Sequence, residues 1–238
     1  LMSVSMLLGT VLWPILTKKY EKKQRLINDK KRQDKYLAYL DGIRDEIKRK
    51  CKEQSEILSE NLVSPDACAD RIAEQKQNLW ERVPGQDDFL RLRLGLGNLP
   101  LDADVKYPEK KFTMDDDNLQ DAMLSLGSEP KQLIGVPISV SLVENTTVGV
   151  CGEYLTSTNM MKSLILQMIA LHSYDELKIM LITDESERDE WDFIRPIPHF
   201  WNDDKTTRFF ASNADEIKEL SAYMEKNIVS RTDAANQD

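Results

Sequence analysis

The chain has 238 residues, of which 41% are apolar and 31% charged, with a formal net charge of −9. That is enough length for one sizeable domain and an appendage, and the composition is that of a globular rather than a disordered protein. Residues 18–52 carry 14 Lys/Arg against 6 Asp/Glu, whereas residues 80–238 carry 16 against 29. A basic neck is therefore joined to an acidic body, and the body's sign argues against nucleic acid as its partner. The three cysteines (Cys51, Cys68, Cys151) have no paired spacing and no histidine neighbours, which excludes a disulfide framework and a zinc site and fits a reducing compartment.

The opening run, Leu1 to Leu16, holds no charge and is followed by Lys18, Lys19, Lys22, Lys23 and Arg25. A bilayer span takes about 20 apolar residues, so residues 1–17 read as the end of a transmembrane helix. Trp13 would sit at the headgroups and the lysines would mark the cytoplasmic side. The rival readings are a buried helix and a signal peptide, which would carry its positive charges before the apolar run.

Residues 18–79 read as a helical stalk with a hairpin. Residues 18–63 form a polar helix whose only Gly is Gly42. Tyr36, Leu40, Ile43 and Ile47 mark a short heptad-like seam, a candidate coiled coil. The helix restarts at "SPDACADRIAEQKQNLW", with Ser64 as N-cap and Pro65 at N1. The basic face is also suited to anionic lipid, at about 1 kcal/mol per Lys or Arg.

The body is expected over residues 80–238. In "DFLRLRLGLGNLP", Leu90, Leu92, Leu94 and Leu96 alternate with Arg91, Arg93, Gly95 and Gly97, predicting a strand with one buried face and Arg91 and Arg93 on the wet one. "FTMDDDNLQDAMLSLG" predicts a helix capped by Thr113 and ended before Gly127, with Asp115, Asp116 and Asp117 favoured by the helix dipole. "VPISVSL" and "TTVGVCG" predict a hairpin or adjacent strands. Beyond them come a helix over about Ser157–His172, a strand "LKIMLITD", an acidic-aromatic helix "ERDEWDFI", a strand near "TRFFAS" and a helix near Ala214–Ile228. Apolar strands alternating with helices predict a parallel α/β sheet.

The segment from Gly152 to Asn159 has the rhythm of a phosphate-binding loop. In the frame G-x-x-x-x-G-K-[ST], Ser157 stands where the second Gly belongs, Thr158 where the Lys belongs and Asn159 where the hydroxyl belongs. Glu153 adds a negative charge, and Lys162 lies about one turn too far along the helix. Gly152, Ser157, Thr158 and Asn159 are thus degenerate nucleotide-loop positions, without the lysine that phosphoryl transfer needs. Asp184 and Glu185 are expected as loop or cap residues, His172 as a helix-end residue favoured by the dipole, and His199 as part of an ordered aromatic loop. Met160, Met161, Met168 and Ile169 are expected in the core.

The uncharged run, the basic stalk, "LWERVPGQDDFLRLRLGLG", "VKYPEKKFTMDDD", "GVCGEYL", "LKIMLITDE" and "EWDFIRPIPHFW" together resemble the membrane-proximal part of the FtsK/SpoIIIE-type ATPases of type VII secretion, the EssC/EccC family, in its Firmicutes branch. The resemblance implies a RecA-like (P-loop NTPase-like) sheet, incomplete here and expected to need strands beyond "VSRTDAANQD", where the chain continues or a disordered loop begins. It implies a cell-membrane protein with residues 18–238 on the cytoplasmic side, assembled as a hexamer with other secretion-membrane components. ATP and magnesium, and the small helical-hairpin substrates, are implied for downstream domains; no catalytic residue, cofactor or metal is carried onto this chain. The expected function is a structural coupling module without ATP hydrolysis. The alternatives are a nucleotide-binding regulatory domain and an FtsK-type DNA translocase.

Overall fold

A computed structural model describes residues 13–109 and 118–235. The uncharged residues 1–12, and Thr113 with Asp115–Asp117, lie outside the described residues. The first element, α1 (Trp13–Asn61), is a 49-residue helix. Its straight-chain Lys, Arg, Glu, Gln and Leu side chains are good helix formers. Neighbouring turns are tied by Arg49–Glu53 (2.6 Å), Arg44–Asp41 (2.8 Å) and Lys50–Glu53 (3.2 Å). No helix among the described residues is long and apolar enough to cross a membrane.

Eight further main elements follow. They are α2 (Pro65–Ala73), β1 (Arg91–Pro100), α3 (Leu119–Ser128), β2 (Gln132–Ser141), α4 (Tyr154–Leu171), the two-residue strands β3 (Leu181–Ile182) and β4 (Phe210–Ala211), and α5 (Ala214–Ala235). Two 3₁₀ helices, Glu185–Ile194 and Pro198–Phe200, connect β3 to β4. The chain divides into two compact units. One comprises residues up to Glu60 with Gly97–Val136; the other comprises Asn61–Leu96 and the residues from Pro137 onward.

In the first unit the seam of α1 meets its own chain. Leu40 is buried, and Tyr36, Ile43 and Ile47 line one apolar cavity with Val105, Tyr107, Met123 and Leu126. Arg44 forks onto Glu129 just past α3, Nη2 to Oε1 at 2.9 Å and Nε to Oε2 at 3.3 Å. Gly127 does not end α3, as its place in the sequence predicts, but sits inside it. A Cβ there would come within 3.2 Å of the Tyr107 ring. Gly135, at φ +66°, interrupts β2, so Leu133 and Val136 are both buried although an unbroken strand would point them to opposite faces.

β1 and β2 form a two-stranded sheet. Leu101 N–H donates to Lys131 C=O at one end and Leu142 N–H to Leu90 C=O at the other, the antiparallel sense. The expected buried face of β1 is realised only at Leu92; Leu94 and Leu96 are 41% and 64% exposed. "VPISVS" pairs with β1, and Thr146–Gly152 is assigned to no strand.

In the second unit β3 and β4 run parallel, Leu181 opposite Phe210 and Ile182 opposite Ala211. The pairing sits where sequence alternation placed it but is short. Ile179 N–H reaches His199 C=O (2.9 Å) before it, and Thr183 N–H reaches Ala211 C=O (3.0 Å) at its end. Alternation sends successive β4 side chains into two cores. Phe210 packs with Ile165, Trp191, Ile194 and Phe200; Phe209 and Ala211 pack with Leu220 of α5. Helices thus cover both faces of the pair, as parallel strands require. Ser64 caps α2 by accepting from Ala67 N–H (3.2 Å), and α2 packs through Cys68 onto Ala170 and Leu171 of α4.

Candidate functional site

Both ends of α4 carry polar chemistry, and they are built differently. At its start, Glu153 is the N-cap residue but its carboxylate makes no cap hydrogen bond, and Ser157 N–H already donates to Glu153 C=O at 2.9 Å. The helix begins at Tyr154, two residues after Gly152. Six of the eight positions from Gly152 to Asn159 are therefore helical, and between Gly152 and the helix only Glu153 remains, so this frame leaves no loop whose amides could wrap a phosphate. Ser157 is half-buried, Thr158 buried and Asn159 exposed. Gly152 sits so close that an added Cβ would lie 3.2 Å from Ser157 Oγ. The exposed first-turn amides retain the weak attraction for anions common to helix N-termini, and the Glu153 carboxylate opposes it.

The cation nearest in sequence is committed elsewhere. Lys162 pairs with Glu190, its ammonium 5.7 Å from the centre of the Trp191 ring and 5.9 Å from that of Phe193. Asp184 caps the first 3₁₀ helix, accepting from Ser186 N–H (3.0 Å) and Ser186 Oγ–H (2.9 Å). Those donors hold its pKa below the usual carboxylate value. Glu187 accepts from the Thr183 hydroxyl at 2.7 Å. Among the described residues no cluster of three or more His, Cys, Asp or Glu side chains could hold a metal ion. Of the expected core residues on α4, Met161 is exposed and Met160, Met168 and Ile169 are half-buried; the apolar residues that α4 does bury are Leu164, Ile165, Ala170 and Leu171.

The other end of α4 is a closed network. A helix leaves its last four carbonyls without intrahelical partners, and here remote groups take the last three, with His172 on Met168. Trp80 donates its indole N–H to Ile169 C=O and its backbone N–H to Ala170 C=O, both at 3.0 Å. Arg82 N–H donates to Leu171 C=O at 3.0 Å. His172 N–H and Nδ1–H both reach Met168 C=O at 3.1 Å, and His199 Nε2–H reaches His172 C=O at 2.9 Å. Trp80 adopts φ +60° to do this, a left-handed conformation costly for a bulky side chain.

The dipole argument for a charged His172 gives way to desolvation. His172 is fully buried, and burial pushes its pKa down to about 4. Its Nε2 accepts from Leu90 N–H at 3.0 Å, which requires the neutral Nδ1–H tautomer. Burial lowers His199 as well. With both His172 nitrogens engaged, this imidazole has no free atom for acid–base work.

Arg82 and Gln167 complete the junction, and sequence reasoning passed over both. Arg82 is buried and donates Nη1–H to Arg91 C=O (2.5 Å) and Nη2–H to Asn61 C=O (2.6 Å). Its Nε lies 3.3 Å from Asp88 without hydrogen-bond alignment. Gln167 was visible only as the lone amide in "SLILQMIAL". Arg93 is half-buried, donating Nη1–H to Leu62 C=O (3.1 Å), so it departs from the expected solvated face; Arg91 lies 3.5 Å from Glu144.

No protein-family model matches the chain. It is similar to ESX secretion system protein YukB of Bacillus subtilis strain 168, 26% identical over 201 residues covering 84% of this chain and 13% of the relative. It is similar to type VII secretion system protein EssC of Staphylococcus aureus strain NCTC 8325, 26% identical over 213 residues, 90% of this chain and 14% of the relative. A third relative, ESX secretion system protein EccC of Geobacillus thermodenitrificans, is 22% identical over 201 residues. The chain matches only about one seventh of the length of these relatives, 13% to 14%.

Proposed function

We propose that this chain serves type VII protein secretion as a structural coupling module, a stalk joined to a degenerate ATPase-like body that does not itself hydrolyse ATP. The similarity over most of the chain to proteins named for that system supports the first part. The parallel β3–β4 pair with helices on both faces supports a RecA-like origin for the body. In this reading ATP, magnesium and the exported helical-hairpin substrates belong to other segments of a longer, ring-forming membrane protein.

The observation that carries the reading is the start of α4. The helix opens two residues after Gly152, Thr158 is buried where the phosphate-binding lysine would stand, and Lys162 is held by Glu190. Phosphoryl transfer needs a positioned cation at the β/γ-phosphates; this segment has Thr158 at that position and adds the Glu153 carboxylate at the helix start.

Calorimetric titration of Mg·ATP into the chain tests this. The expected result is no saturable heat up to millimolar nucleotide from a sample shown to be folded. Saturation in the micromolar range, abolished by Gly152→Trp, overturns it in favour of a nucleotide-binding regulatory domain.

A further inference from the structure

The two halves of α1 carry apolar stripes on opposite sides. Ile27 and Tyr36 are nine residues, two and a half turns, apart. From Tyr36 onward the stripe faces α3 and the segment around Tyr107. Before Ile27 a second stripe runs through Trp13, Leu16, Tyr20 and Ile27, spaced by three, four and seven, and stands 71%, 61%, 68% and 39% exposed. Lys18, Lys22 and Arg25 lie on the other side of the same turns together with the exposed Ile15 and Leu26, Lys19 lies on the flank, Lys23 stands at the edge of the stripe, and Glu21 is the single acid between Trp13 and Ile27.

We infer that this segment, Trp13–Ile27, is a docking surface for anionic phospholipid. An apolar stripe that includes Trp and Tyr, backed by lysines whose stems can reach up to headgroups, is the pattern of a helix seated at a membrane interface. Charge selects among occupants. In a stalk-to-stalk coiled coil the core position after Tyr20 would be Lys23, with Lys19 beside the seam, so like charges would oppose pairing. Nucleic acid offers nothing to the exposed Leu16 and Ile27. An anionic bilayer satisfies both faces at once. The inference rests on the membrane reading above and adds to the basic face the exposed apolar stripe and the residues of each that meet the lipid.

Co-flotation of the full chain with vesicles tests it, comparing phosphatidylcholine alone with phosphatidylcholine mixed with phosphatidylglycerol. The expected result is preferential binding to the anionic vesicles that weakens with salt, with a blue-shifted emission component absent from Trp13→Phe. Replacing Lys18, Lys19, Lys22 and Lys23 together by Gln should weaken binding at least roughly a hundredfold, since each contributes about fivefold. Leu16→Ser with Tyr20→Ser should also weaken it while leaving the charges in place. These positions are solvent-exposed, so circular dichroism of the variants should match the parent. Equal binding to both vesicle types, undiminished binding by the four-lysine variant, or no binding at all overturns the inference. So does a stalk dimer in sedimentation that the four-lysine variant strengthens. Failure of the coupling-module reading would appear separately, as saturable nucleotide binding in the calorimetric titration.

Discussion

The side-chain amide of Gln167 closes both backbone hydrogen bonds of Arg93. Its Oε1 accepts from Arg93 N–H at 2.8 Å and its Nε2–H donates to Arg93 C=O at 2.9 Å. A residue of helix α4 thus stands where the next strand would stand beside β1. The backbone groups of Arg93, half-buried beside Leu92, need partners, and one planar amide, with a donor and an acceptor side by side, matches a peptide group.

Gln167→Leu keeps the volume and removes both partners. Two buried backbone groups are then orphaned, at about 1–3 kcal/mol each, so a loss of roughly 3 kcal/mol is expected in urea unfolding with an unchanged denaturant slope. A loss below about 1 kcal/mol would mean that water or a neighbouring backbone takes over the two bonds.

Acid should weaken the fold through His172. Its folded pKa, about 4, lies below the unfolded histidine value of about 6.5. Between these pH values the unfolded chain binds a proton that the folded chain refuses. Stability is therefore flat above about pH 6.5 and falls as pH drops toward 4, by at most about 3 kcal/mol from this group. His199, also depressed, acts in the same direction. Unfolding free energies at neutral and mildly acidic pH check this; equal values for the parent, with His172→Gln showing the same profile, would refute it.

Lys162→Met separates a structural lysine from a phosphate ligand. Its pairing with Glu190 is partly solvated, both side chains being accessible, so the change should cost under about 1 kcal/mol. It should leave the nucleotide titration as it is in the parent. A heat of Mg·ATP binding that this substitution removes would show that the ammonium leaves Glu190 for phosphate.

Local signals along the chain proved legible where a few neighbouring residues decide the outcome. Ser64 and Pro65 marked the start of α2, Asp184 acted as a cap, and the apolar run after Tyr154 became α4, three residues earlier than its expected start at Ser157. The parallel order of "LKIMLITD" and "TRFFAS" followed from helices alternating with apolar strands. Leu94 and Leu96 show where alternation misleads: it reports two faces, and whether anything covers one of them depends on the rest of the chain.

By itself the sequence determined the long polar helix, its charge, the caps at Ser64 and Asp184 and the threonine rather than lysine at position 158. Each depends on residues within a turn or two of one another, where propensity, capping and spacing act. Only the tertiary structure decided that Trp80 and Arg82 would seal the end of α4, with Trp80 donating to Ile169 across 89 positions in sequence, and that Gln167 would complete β1. It also decided that His172 is neutral and that the seam of α1 packs within its own chain. Desolvation and the pairing of orphaned backbone groups depend on which distant segments exclude water from a given atom, and no local pattern carries that information.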